Sequence, residues 1–217
     1  MKYKLFAFLF YVSISISIAQ NTFFEGEIKY KVTIDTKSKD IDPKLLIEYD
    51  NRIWQYYFKN GNFKWILPSK FWSSYLYIQK ENRIFYIPKQ TDIAIWQNVR
   101  SVSDSMLEIK ILKGEINILN ISCKQIVFKS KYLSNNKIRE RTYFYPKKIK
   151  INAKLFVNYR NNNLDEIYKR TNALPLKIID DFGDFKITYQ AIEINPKYLE
   201  PNIFTIDKKF KLEEIQK

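Results

Sequence analysis

Apolar and polar residues alternate over most of the chain. Ile28, Tyr30, Val32 and Ile34 are interleaved with Glu27, Lys29, Lys31 and Thr33, the two-residue period of a strand with one apolar face. A polar loop at 36–43 follows, then the run IWQYYFKNGNFKWIL at 53–67. Its aromatic halves flank Asn60-Gly61, a pair that readily takes the positive φ values of a tight hairpin turn. Residues 75–79 and 84–87 flank the polar stretch 80–83 and predict a second hairpin. Residues 93–97 predict a short strand. Residues 107–112 and 115–118 flank Lys113-Gly114 and predict another hairpin. The runs 123–129 and 138–145 predict strands joined by a turn at Ser134-Asn135-Asn136.

The pattern changes after Pro146. Residues 158–163 are a polar break, and Leu164, Ile167 and Tyr168 then recur at helical spacing, predicting one short helix over 164–170. In Leu174-Pro175-Leu176 the proline lacks a donor for a strand ladder and marks the start of a strand at 176–179. Asp180, Asp181 and Asp184 fall in the expected turn before a strand at 185–194. Pro196 and Pro201 bracket a tail turn, with a last short strand expected at 203–206. Consecutive hairpins imply an antiparallel meander, because parallel neighbours need long crossovers. The expected fold is mainly β: a single curved, half-barrel-like antiparallel sheet of about ten strands, apolar on its concave side, with one short helix. Four glycines are few for such a chain.

The first residues follow a different logic. Lys2 and Lys4 precede an apolar run, 5–18, and Ser17-Ile18-Ala19 places small residues before Gln20. This is the layout of a secretory signal peptide cleaved after Ala19. The apolar run is shorter than the roughly 20 residues a spanning helix needs. No cysteine follows it, and no later stretch is apolar enough to span a membrane. Residues 1–19 are therefore expected to be a signal peptide and 20–217 a single antiparallel β domain, periplasmic or secreted. With one cysteine, an internal disulfide is excluded.

Charge narrows the partners. The chain carries +14, and residues 124–170 hold 13 basic side chains against Glu140, Asp165 and Glu166. A field of that sign favours anionic partners. Arg139, Arg141, Lys147, Lys148, Lys150 and Lys154 are the candidate basic rim for an anionic head group. Aromatic residues interleave with these cations, as in single-strand nucleic-acid binders, but export argues against nucleic acid. On solvated strands the same pattern needs no partner.

Candidate catalytic groups are scarce. The chain has no histidine, which removes the Ser-His and Cys-His nucleophile systems and the common zinc sites. Cys123 lies within an apolar strand, where a thiol packs rather than reacts. The aspartates Asp40 and Asp42, and the group at 180–184, sit in expected turns, where local hydrogen bonding favours them. There is no phosphate loop, dinucleotide fingerprint or calcium-loop spacing. No catalytic residue, cofactor or metal is predicted. Asn120-Ile121-Ser122 is a glycosylation acceptor only in a eukaryotic secretory host.

Several segments together resemble a known family. FEGEIKYKV (24–32), YFKNGNFK (57–64), ILNISCKQIVFKS (118–130), TYFYPKKIKIN (142–152), NALPLKI (172–178) and YLEPNIFTI (198–206) occur in that order after the export signal. The order resembles the GLPGLI family of exported Bacteroidetes proteins, which shades into the LolA-like lipoprotein carriers. NALPLKI keeps the Leu-Pro of the name motif without its glycines. The long helix that opens a carrier of the second group has no counterpart before residue 24. The resemblance implies a half-barrel-like sheet in the cell envelope and carries over no catalytic residue. The expected function is non-enzymatic binding of a lipid-like or amphiphilic ligand on an apolar concave sheet, with lipid, lipoprotein or an anionic envelope surface as partner. The alternative is a periplasmic protein- or glycan-interaction module whose core is filled by its own side chains.

Overall fold

In the computed structural model, which describes residues 23–36, 46 and 49–215, each alternating run between residues 26 and 194 falls on a strand. The strands are β1 (Gly26–Thr36), β2 (Arg52–Lys59), β3 (Asn62–Ile66), β4 (Trp72–Ile78), β5 (Arg83–Pro88), β6 (Ile93–Asn98), β7 (Asp104–Ile118), β8 (Ile121–Tyr132), β9 (Ile138–Pro146), β10 (Lys177–Asp181), β11 (Phe185–Pro196) and β12 (Lys211–Glu214). They form one open sheet of 12 strands, not the expected ten or so, in the order β12-β6-β5-β4-β3-β2-β1-β11-β10-β9-β8-β7. The predicted export segment and Asp40 and Asp42 lie outside the described residues. No helix among the described residues is long and apolar enough to cross a membrane.

Asparagine supplies much of the turn chemistry in a chain with few glycines. Of the nine non-glycine residues with positive φ among the described residues, eight are asparagines, the residue type that tolerates the left-handed region best after glycine. Asn60 (φ 47°) and Gly61 (φ 79°) make the predicted β2–β3 turn. Asn82 closes the β4–β5 hairpin, and Asn136 lies in the β8–β9 turn. Leu119 and Asn120, both with positive φ, form the two-residue link from β7 to β8, so the glycosylation-type triplet begins in a tight turn.

Three expectations are corrected. Residues 107–118 are not a hairpin. They belong to one 15-residue strand, β7, and Lys113-Gly114 lies in a break of register against β8 between Leu112 and Ile116. The sheet is not wholly antiparallel, because β12 runs parallel to β6, pairing Lys211 with Ile93. The chain between β11 and β12 crosses the outer face, so no hairpin dictates β12's direction. Residues 203–206 are not a strand. Pro201 opens a short 3-10 turn, Pro201–Phe204, as suits a residue with fixed φ and no N–H. Leu199 and Phe204 then cover Leu76, Phe85 and Ile87 on the outer face.

The inner face carries the main core. Ile28, Tyr30 and Val32 of β1 are almost wholly buried, as their alternation predicts. Over them lies the chain between β9 and β10, with a 3-10 turn at Ala153–Phe156 and a helix, α1 (Leu164–Thr171). Ile167 and Tyr168 are buried along the predicted helix stripe. Asp165 and Glu166 in the first turn and Lys169 and Arg170 in the last suit the helix dipole. Asn172, at φ 48°, ends the helix, its N–H donating to Tyr168 O. Pro175 precedes β10 as predicted, between the fully buried Leu174 and Leu176. Cys123 is buried, its thiol donates to Ile121 O at 3.4 Å, and burial, then Glu115, pushes its pKa up to about 11.

The tip of the β2–β3 hairpin touches this inner cover. A Cβ on Gly61 would lie 2.9 Å from Leu155 Cβ, whereas one on Gly183, at a similar φ of +89°, would meet nothing within 4 Å. Gly183→Ala is expected to cost about 1–2 kcal/mol through backbone strain alone. Gly61→Ala is expected to cost at least about 1 kcal/mol more, because Leu155 must move. Urea denaturation of both variants measures the difference, and equal losses would show that the contact is soft.

A candidate ligand cavity on the inner face

A tie between distant strands shapes the inner face. Only residues 99–103 separate β6 from β7, yet these strands are ten positions apart in the sheet. Ten lateral steps would separate them by roughly 48 Å in a flat sheet, whereas the chain from Asn98 to Asp104 reaches at most about 22 Å. The sheet must therefore curl. Val99 fixes the tie from inside: it is fully buried, its N–H donates to Asn82 O at 3.0 Å, and its carbonyl accepts from Arg160 and Asn161 N–H at 2.8 and 3.0 Å.

The curl leaves a cavity of about 330 Å³ between the sheet and the helical cover. Its walls come from both sides of the sheet, with Tyr75 and Tyr86 of β4 and β5 facing the same space as Arg141 and Tyr143 of β9 and Tyr189 of β11. Rings dominate. Trp65 lies 4.5 Å from Tyr56 and 5.2 Å from Tyr30, centroid to centroid, and Tyr75 lies 5.0 Å from Tyr86. One wall hydroxyl is held by the backbone, Tyr30 donating to Pro175 O at 2.7 Å, and those of Tyr56 and Tyr75 lie near Tyr168 and Tyr49. Trp54 also forms part of the wall, and its buried Nε1–H has no acceptor, an omission that costs about 1–3 kcal/mol.

One wall is ionic. Asp180, 4% exposed, receives Arg139 Nε and Nη2 at 2.8 and 2.6 Å. It also receives Arg141 Nε, and Arg141 Nη2 at 2.8 Å. Both of its oxygens therefore accept two N–H groups, an arrangement only an ionised carboxylate satisfies. Arg141 Nη1 donates to Tyr143 Oη at 2.9 Å, and Arg139 Nη1 to Asn162 Oδ1 at 2.8 Å. Burial works against the charge on Arg141, but the Asp180 carboxylate outweighs it and holds the guanidinium protonated above the ordinary arginine range. Asp104, 2% exposed, lies across a small void from Arg139, held by Ser103 and the Asn163 amide.

This placement changes the reading of the basic segment. Arg139 and Arg141 are not on a rim; they point inward and share one carboxylate, and Asp180 lies on β10 rather than in the turn after it. The alternation of Arg139, Arg141 and Tyr143 on one face of β9 was the available sign. Pairing Asp180 with Arg141 across β9 and β10 depends on register, which a single sequence does not print. Lys147, Lys148, Lys150 and Lys154 are exposed. Lys147, the nearest of them along the chain, is six residues beyond Arg141 and lies near Glu115 at 4.0 Å, so the inward arginines and the exposed lysines form two separate groups. Among the described residues no cluster of three or more His, Cys, Asp or Glu could hold a metal. Compared with models of known families the chain matches none, and it matches no curated protein sequence.

Two outcomes follow from this wall. Asp180→Ala leaves two buried guanidinium groups without their anion and is expected to cost about 3–5 kcal/mol in chemical denaturation; a loss below about 1 kcal/mol would mean that water already compensates the arginines. Burial raises Tyr143 from the usual 10.0 to about 12. The folded state thus holds this proton more tightly than the unfolded chain, and the resulting stability is present below pH 10 and lost as pH rises toward about 12. Denaturation midpoints across that window, followed with tyrosine difference absorbance, should fall, and ionisation of all tyrosines near pH 10 in the folded protein would contradict the burial.

Proposed function

We propose that this is an exported protein of the cell envelope, periplasmic or secreted, that binds a lipid-like or amphiphilic ligand within a half-barrel-like sheet and catalyses no reaction. The observation that carries this reading is the ring-walled cavity of about 330 Å³ on the inner face. Its size lies at the lower end for small-molecule sites, which are typically apolar with a few placed polar groups. The rings suit an apolar body, and Arg141 with Tyr143 suits a polar head. Among the described residues, no cysteine, serine or lysine lines the space. The signal-peptide layout of residues 1–19 and the GLPGLI-like order of segments support an envelope location, and the exposed Lys147, Lys148, Lys150 and Lys154 suit an anionic surface outside the cavity.

A second reading has its own observation. Phe156, Tyr159, Ile167 and Tyr168 of the helical cover are all buried against the sheet, so the protein fills part of its concave face by itself, as an interaction module for a protein or glycan would.

Native mass spectrometry of protein purified from a periplasm, followed by solvent extraction, separates the two. A bound amphiphile of defined mass is expected. A bare mass, together with no uptake of added amphiphile, would overturn the ligand-binding reading in favour of the interaction module.

A further inference from the structure

Ring walls select by shape as well as by polarity. Twelve of the 20 residues around the cavity are aromatic, and nine of these are tyrosines. Among the described residues of the wall, only Ile84, Leu164 and Ile178 offer branched aliphatic surface. A flexible acyl chain gains most where such surface is continuous. Here the faces on offer are planar, and each ring is held against another at fixed distance and tilt. Trp54 packs edge-on to Trp65 at 5.9 Å and to Tyr189 at 5.6 Å. Such fixed faces and edges favour a flat partner that can stack or dock edge-on.

The polar groups are unbalanced in one direction. Both oxygens of Asp180 are already occupied by arginine N–H groups. The Tyr143 oxygen accepts from Arg141, so its own proton is left to donate. Trp54 Nε1–H has no acceptor. The Tyr143 proton and the Trp54 Nε1–H are thus donors that a ligand oxygen can satisfy.

Taking the cavity as the ligand site, we propose that it binds a flat, ring-shaped molecule bearing a hydrogen-bond-accepting oxygen, a carbonyl or a carboxylate, rather than a fatty acyl chain. The rings lie among Tyr30, Tyr56, Trp65 and Tyr75, and the oxygen faces Tyr143 and Arg141.

Calorimetric titration of the purified protein with 2-naphthoate, decanoate and 2-methylnaphthalene tests this. The first two share a carboxylate and a similar size and differ in shape; the third keeps the rings and lacks the oxygen. Naphthoate is expected to bind at least about tenfold more tightly than either of the others. Tyr143→Phe keeps the ring and removes the donor, and is expected to weaken naphthoate by about tenfold, one lost hydrogen bond to a charged acceptor, with near-ultraviolet circular dichroism confirming the fold. Decanoate binding as tightly as naphthoate would overturn the proposal and leave the amphiphile reading standing. Methylnaphthalene equal to naphthoate would overturn the acceptor requirement. No binding of any of the three at millimolar concentration would remove the amphiphile reading and the proposal together.

Discussion

Five residues, 99–103, connect strands that stand ten places apart in one sheet, and the inner face exists in its present form because of that short tie. A sheet of this width left flat would expose both faces and both edges to water, with little to hold it. Curling turns the alternating apolar positions of β1–β5 and β9–β11 toward one another. The buried Val99, with backbone bonds to Asn82, Arg160 and Asn161, joins the tie to the helical cover, so the curl and the cover stabilise each other. The cover alone could not bury its side chains: α1 is eight residues long, too short to persist without tertiary packing.

The ionic wall is the costly part of this arrangement. Two guanidinium groups and a carboxylate taken from water lose several kcal/mol of solvation each, and their mutual attraction repays this only when every hydrogen bond is made. Asp180 meets that condition with four donors. An apolar trio would pack more cheaply. What the charged trio adds is position: Arg139 and Arg141 are fixed to β10, to Asn162 and to Tyr143, so β9, β10 and the cover have one relative placement. The same bonds orient the Tyr143 hydroxyl toward its role as a donor in the cavity.

The sequence made the strands legible and the long-range pairing opaque. Alternation located β1, and Asn60-Gly61 located the β2–β3 turn, because those signals are local. It misread 107–118 because Lys113-Gly114 has the composition of a turn, while Gly114 at φ 91° serves a bulge inside β7. It placed 203–206 in a strand because a short apolar run has no period of its own, and it is Pro201 that sets a 3-10 turn there. It placed Arg139 and Arg141 on the surface with the lysines because charge alone does not reveal a buried partner 39 or 41 residues away. The scarcity of glycine was a true signal whose answer lay in the asparagines.

The cavity reflects a compromise in the choice of tyrosine. A wall of phenylalanine would leave no hydroxyl to form hydrogen bonds across the space; a wall of small polar residues would bury too little apolar surface to support the sheet. Tyrosine gives each strand a large buried ring for the core and a hydroxyl that can be satisfied at a distance from its backbone. Tyr30 reaches Pro175 O, so a ring on the central strand is tethered to the segment that leads from the cover into β10. The helical cover fills one part of the concave face with Phe156, Tyr159 and Tyr168, and the large rings of the sheet line the space that remains, so a self-packed core and a cavity coexist on one face.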